Sequence, residues 1–282
     1  MQLTISLKPF NQIKTFFLRW EKLIILLALT SISIYYYWFY LQNGLGLSYN
    51  DARSHLDIGR RVVEGLKPGA AQLGSVWLPL NHLLMVPLIW NDWMWHSGFA
   101  GAIWNMLAFI GTGLIISKYL KKLRVGVLGR LAGVALFAAN INVLYLQSTA
   151  MTEPILLFTM TAGCYYLMRW HDNDQIIELV KAAFWLMLST RTRYDGWFLL
   201  AYATGLIMIQ VWRKHGLKRV EGVSVMFLTL AALGVVIWLG WNLLIFGDAL
   251  YFALGPFSAH AQQLVMESAG ALPTKGNFWL ST

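Results

Sequence analysis

Two Asp, two His and three Arg fall within the stretch Tyr49–His82: Asp51, Asp57, His55, His82, Arg53, Arg60 and Arg61. Carboxylates and imidazoles move protons or hold metals, and guanidiniums grip phosphate. Three further clusters have the same character: Gln147-Ser-Thr-Ala-Met-Thr-Glu-Pro154, Arg191-Thr-Arg-Tyr-Asp-Gly-Trp197, and the segment 248–263 with Tyr251 and His260. Such groups are costly near membrane depth, so several of them on one side mark a functional face.

Each has a structural reading beside the chemical one. Ser48-x-x-Asp51 fits a capping box, which leaves Asp51 open between a helix-start acid and a catalytic group. Asp57, Arg60 and Arg61 read as a solvated ion-pair face. His82 reads either as an external imidazole for phosphate or metal, or as a structural histidine. Glu153 before Pro154 suits a helix start, where the dipole favours an acid, yet dipole stabilisation of about 0.3–1 kcal/mol is small against the cost of a carboxylate in a bilayer. Arg191 and Arg193 break the preference for positive charge inside; Arg191 could pair with Asp195 at i, i+4, or the two Arg could hold an anion, and phosphate is favoured.

The elements that must position these groups are apolar. The chain is 57% hydrophobic and 12% charged, with mean hydropathy +0.54, against about 25% charged in a soluble domain. Net charge +9 follows basic residues in short loops beside apolar runs, which points to lipid headgroups and topology and away from nucleic acid. The single Cys164 excludes an intramolecular disulfide and a Cys-based zinc site. No cleavable leader is apparent.

Apolar runs at about 23–41, 97–117, 127–146, 152–168, 176–190, 197–212 and 222–246 predict seven crossings in one all-α integral membrane domain, 1–282. The basic lead-in puts the N-terminus in the cytoplasm. A first external loop (about 42–96) and an external tail (about 248–282) then lie on the outer side of a multi-pass cell-membrane protein. Within that loop, apolar or small residues at 52, 56, 59, 63 and 66 and polar ones at 53, 57, 60 and 64 predict an amphipathic surface helix, and Trp77-Leu-Pro-Leu-Asn-His82 a turn into a second.

This pattern resembles the GT-C superfamily of polyprenyl-phosphate-dependent glycosyltransferases, in particular the protein O-mannosyltransferase and aminoarabinose-transferase branch. The residues that carry the resemblance are Asn50-Asp51-Ala-Arg-x-His55, Trp77-Leu-Pro-Leu-Asn-His82, Glu153 opening a span and Arg193-Tyr-Asp-Gly-Trp197; many relatives carry a second acid where Ala52 stands. The resemblance implies a lipid-linked sugar donor entering from the bilayer, and a hydroxyl acceptor of unassigned kind. Asp51 would be the general base for inverting transfer, and Arg191 or Arg193 would hold the donor phosphate with Arg53 in reserve. His55, His82 and Glu153 would position sugar or acceptor, while Tyr251 and His260 close the site. No cofactor is implied; a divalent ion could be held by Glu153 and His82. A transporter or lipid flippase is the rival, disfavoured because the span centres read as apolar; a non-catalytic membrane subunit is a third reading.

Overall fold

The seven apolar runs fold as helices because they hold few β-branched clusters, and their Pro and Gly residues fall mostly at ends or contact points. A computed structural model describes residues 8–271; the start of the basic lead-in (1–7) and the end of the tail (272–282) lie outside the described residues. In chain order the helices are α1 (Lys8–Gln42), α2 (Asn50–Val63), α3 (Leu80–Met85), α4 (Asp92–His96), α5 (Phe99–Lys122), α6 (Val127–Ala138), α7 (Ile141–Gln147), α8 (Glu153–Asn173), α9 (Ile176–Thr190), α10 (Asp195–His215), α11 (Leu217–Ala231), α12 (Leu233–Phe246), α13 (Tyr251–Leu254) and α14 (Ala259–Ser268). No strand occurs among the described residues.

Two of these are long and apolar enough to cross a membrane, Arg19–Gln42 within α1 and Phe99–Lys122. The bent pairs α6–α7 (66°) and α11–α12 (52°) raise the number to four if each counts as one span. Helices α8 and α10 have 21 residues each, about 30 Å, but are less apolar; α9 has 15. The expected runs 127–146 and 222–246 are therefore each broken. Asn140 caps the restart of α7 by accepting from Val143 N, whereas Ala232 continues the backbone ladder through its bend.

Small residues let the helices close. A Cβ at Gly113 would stand 2.4 Å from Leu29, and one at Gly111 2.5 Å from Phe158, so α1, α5 and α8 meet with almost no side chain between them at those points. One apolar core gathers Ile25, Leu29, Phe109 and Val134 between α1, α5 and α6. Another joins α8–α11 through Leu179, Leu186, Ile207 and Phe227. Arg130 ties α6 to α1 with a bidentate pair to Glu21 (2.6 and 2.5 Å).

Contacts between loops divide the bundle into two ends. At one, Lys122 pairs with Asp172 and Lys214 with Asp174. The other carries α2–α4, the turns 148–152 and 191–194, and α13. A small core there, with Ala52, Leu56, Met85, Ala100 and Met151, seats α2 on the start of α5.

Candidate functional site

Helix α2 buries Ala52, Leu56 and Gly59 of the expected face and adds His55 and Ile58 to it, while Val63 is partly buried and Leu66, beyond the helix end, is fully exposed. Its start differs from a capping box. Tyr49 is the N-cap with no side-chain cap, and Ser48 Oγ bonds Leu45 O (2.9 Å) and Tyr145 OH (2.8 Å). Asp51 is therefore not consumed by a cap. It is half-buried and makes no hydrogen bond or ion pair among the described residues.

One turn on, His55 points into the protein. Its Nδ1 lies 2.8 Å from Nε2 of His82, and the Trp77 ring packs against it at 4.4 Å between centroids. Of the two readings of His82, an external imidazole or a structural histidine, the second fits its place: α3 turns it inward with Asn81, and it is fully buried. Desolvation holds it neutral well below the usual histidine range, helped by His55 and the charge of Arg61. Burial, and then the positive charge of Arg193, pushes His55 down to about 4. The two neutral rings are thus joined by one N–H···N hydrogen bond, and His82 Nδ1 has no partner.

The 191–195 turn is fastened beside this pair, with Leu80 N donating to Arg191 O and Tyr194 OH to Val76 O. Arg193 Nη1 bonds Glu153 Oε1 (2.7 Å) and Thr152 Oγ1 (3.2 Å), while its Nε reaches Asp195 Oδ2 (3.1 Å). Two acids therefore flank Arg193, and Glu153 keeps a buried second oxygen, Oε2, without a partner. The i, i+4 pairing of Arg191 with Asp195, the structural alternative to phosphate binding, does not form, because Arg191 ends α9 and Asp195 starts α10, with a turn between them.

Arg191 instead lines a cavity of about 160 Å³ with Leu73, Pro79, Ile237, Trp238 and Trp241, and has no acidic partner among the described residues. Burial pulls its guanidinium below the usual range, though an arginine stays charged.

The backbone explains why these turns meet. Gly196 is required: a Cβ there would stand 2.5 Å from Ser189 O. Leu80 N donates to Arg191 O (3.1 Å), Tyr194 OH to Val76 O (2.7 Å) and Trp241 Nε1 to Gly74 O (3.1 Å), fastening the 49–82 island to α9, α10 and α12. The turn before Glu153 is held from below. Asn105 Nδ2 donates to Thr149 O (2.7 Å) and Met151 O (2.6 Å), and Asn81 Nδ2 also donates to Met151 O (3.1 Å).

Other expected members lie elsewhere. Arg53 pairs with Asp57 (3.3 Å) and stacks on Trp95, so it faces away from His55; Arg60 pairs with Asp92 (2.7 Å) and Glu64. Tyr251 stacks on Phe246, and its neighbour Phe252 packs on Tyr194 and Trp197. His260 is exposed on α14 and has no partner among the described residues. No group of three or more His, Cys, Asp or Glu suited to a metal ion occurs among the described residues. Asn81, Asn105, Tyr194 and Phe252 are the members the sequence reading missed. Asn105 carried a signal, a lone amide inside the apolar run 97–117.

No protein-family profile, curated protein or solved structure matches the chain.

Proposed function

We propose that the chain is a membrane glycosyltransferase of GT-C type, moving a sugar from a polyprenyl-phosphate donor to a hydroxyl acceptor with inversion. In this reading all seven helical runs cross a cell membrane, the N-terminus is cytoplasmic and the corner around Arg193 faces outward. The observation that carries it is the meeting of distant segments at one corner, His55 with His82, Arg193 with Glu153 and Thr152, and Arg191 and Tyr194 with the backbone of 76–80, while the Asp51 side chain, one turn before His55 on α2, has no partner among the described residues.

In the proposed step the acceptor oxygen attacks the anomeric carbon as its proton passes to the Asp51 carboxylate. The bond from that carbon to the phosphate oxygen breaks, and the polyprenyl phosphate leaves with the electron pair. Arg191 is the better partner for that phosphate, because Arg193 is already compensated by Glu153 and Asp195. The free Glu153 Oε2 is placed to accept from a sugar hydroxyl. The buried His55–His82 pair acts as a neutral wall and contributes no charge near pH 7.

The test is release of lipid phosphate from a panel of labelled polyprenyl-phosphate sugars by the purified protein. Asp51→Asn should lower transfer by about 10²–10⁴-fold with membrane insertion intact, as loss of a positioned base does. Transfer at the wild-type rate would end the general-base role. Failure of every donor in the panel to bind would end the reading itself.

A further inference from the structure

Between α8 and α10 lies a groove of about 570 Å³ that runs along α10 to the end of the bundle remote from Arg193. Leu167 and Met168 of α8 and Leu206 and Ile207 of α10 form its walls, and Tyr119 of α5 closes one side. The floor is low because Ala203 presents only a methyl group. Along α10 the groove runs from Leu199 to Arg213, 14 residues or about 21 Å. One leaflet of a hydrocarbon core roughly 30 Å thick is about 15 Å deep, so the groove has the reach of a single leaflet's chains.

Its far rim is polar and positive. Arg213 and Lys214 line it, and Arg213 has no ion pair or hydrogen bond among the described residues. Lys214 is occupied by Asp174 and by the carbonyl of His171. His171 Nδ1 donates to Gln210 Oε1 (2.6 Å), which fixes that amide and leaves Gln210 Nε2 buried with no acceptor. Beside Tyr119, Lys118 and Lys121 are exposed. The helix dipole accounts for cations in the last turn of α10, but not for an apolar channel that ends on an unpaired guanidinium. The group missing at the rim is an anionic oxygen acceptor attached to a long apolar chain.

We infer that the α8–α10 groove is a binding site for an anionic glycerophospholipid of the surrounding bilayer, with an acyl chain between Leu167, Met168, Leu206 and Ile207 and the phosphate at Arg213. The excess of unpaired cations selects an anionic headgroup over a zwitterionic one. The site is separate from the Arg193 corner and independent of the transferase reading, since it needs only that the helices sit in lipid.

The experiment uses the full chain, delipidated in neutral detergent and offered equimolar phosphatidylglycerol and phosphatidylcholine, with retained lipid counted by native mass spectrometry. Phosphatidylglycerol should be retained about tenfold over phosphatidylcholine. Arg213→Gln, at an exposed position, should reduce that preference to about twofold or less without lowering the melting temperature of the delipidated protein. Leu206→Trp, which fills the half-exposed wall, should lower retention of both lipids. Equal retention of the two lipids would overturn the inference. So would a preference unchanged in Arg213→Gln, or undiminished binding in Leu206→Trp. Displacement of phosphatidylglycerol by equimolar polyprenyl phosphate would reassign the groove to that lipid and overturn the phospholipid assignment.

Discussion

Asn81 and Asn105 share one acceptor, and that makes their energetics inseparable. Both are essentially fully buried, and both Nδ2 groups donate to Met151 O, at 3.1 and 2.6 Å, while Asn105 alone serves Thr149 O. Asn81→Ala removes one neutral hydrogen bond but leaves Met151 O satisfied, so it should cost about 0.5–1.5 kcal/mol beyond the lost packing. Asn105→Ala orphans Thr149 O, a buried carbonyl, and should cost about 1–3 kcal/mol beyond packing. Only the double variant leaves Met151 O bare. It should therefore exceed the sum of the singles by about 1–3 kcal/mol, while the packing losses cancel in the cycle. The assay is equilibrium unfolding in mixed micelles, followed by tryptophan fluorescence. Additivity within about 0.5 kcal/mol, or an Asn81→Ala cost equal to that of Asn105→Ala, would refute the shared-acceptor argument.

Glu21→Gln should destabilise the same micellar protein by about 3–5 kcal/mol, because Arg130 is left buried and uncompensated; the paired change Glu21→Leu with Arg130→Met should recover most of that, and a double variant as unstable as the single would contradict it. His55 takes up a proton near 6.5 when unfolded and near 4 when folded, so its share of stability should fall by about 3 kcal/mol as pH drops from about 6.5 to about 4, and His82, also held neutral by burial, adds to the loss over the same range and below it. Melting scans at pH 7.5 and 4.5 should show a shallower acid loss in His55→Gln, and an unchanged slope would exclude His55 as its source. Gly234→Ala should cost about 1–3 kcal/mol, since the new Cβ would stand 2.3 Å from Thr190 Oγ1 and 2.8 Å from Met187 O; Gly240→Ala, with no heavy atom within 4 Å, should be neutral or stabilising in the same unfolding assay. Equal costs at the two glycines would rule out the contact as the cause.

What sequence could tell followed periodicity, and what it missed depended on tertiary packing. The apolar runs and the buried face of α2 were legible because period and length survive in a single chain. The bends were not, since Ala138-Ala-Asn and Ala231-Ala-Leu remain compatible with a continuing helix. Asp51 looked like a cap only because Ser48 stands three residues before it; Tyr145, nearly a hundred residues away, competes for that hydroxyl. The helical rule that offers Asp195 to Arg191 as an alternative to phosphate fails across a turn, and the partner of Asp195 is Arg193. The inward turn of His82 has no local signature, because the next helix face it meets comes from α2.

The turn at 148–152 is a connection between helices, and such connections usually open without disturbing the rest of a fold. Here Asn81 of α3 and Asn105 of α5 fasten its carbonyls, and Gln147 just before it bonds Ser33 of α1 (2.6 Å). Its amides should therefore exchange with solvent hydrogen on the timescale of whole-bundle opening, as slowly as those of α5. Movement that opens the corner then has to come from its other edge, where α13 leans on Tyr194 through the ring of Phe252.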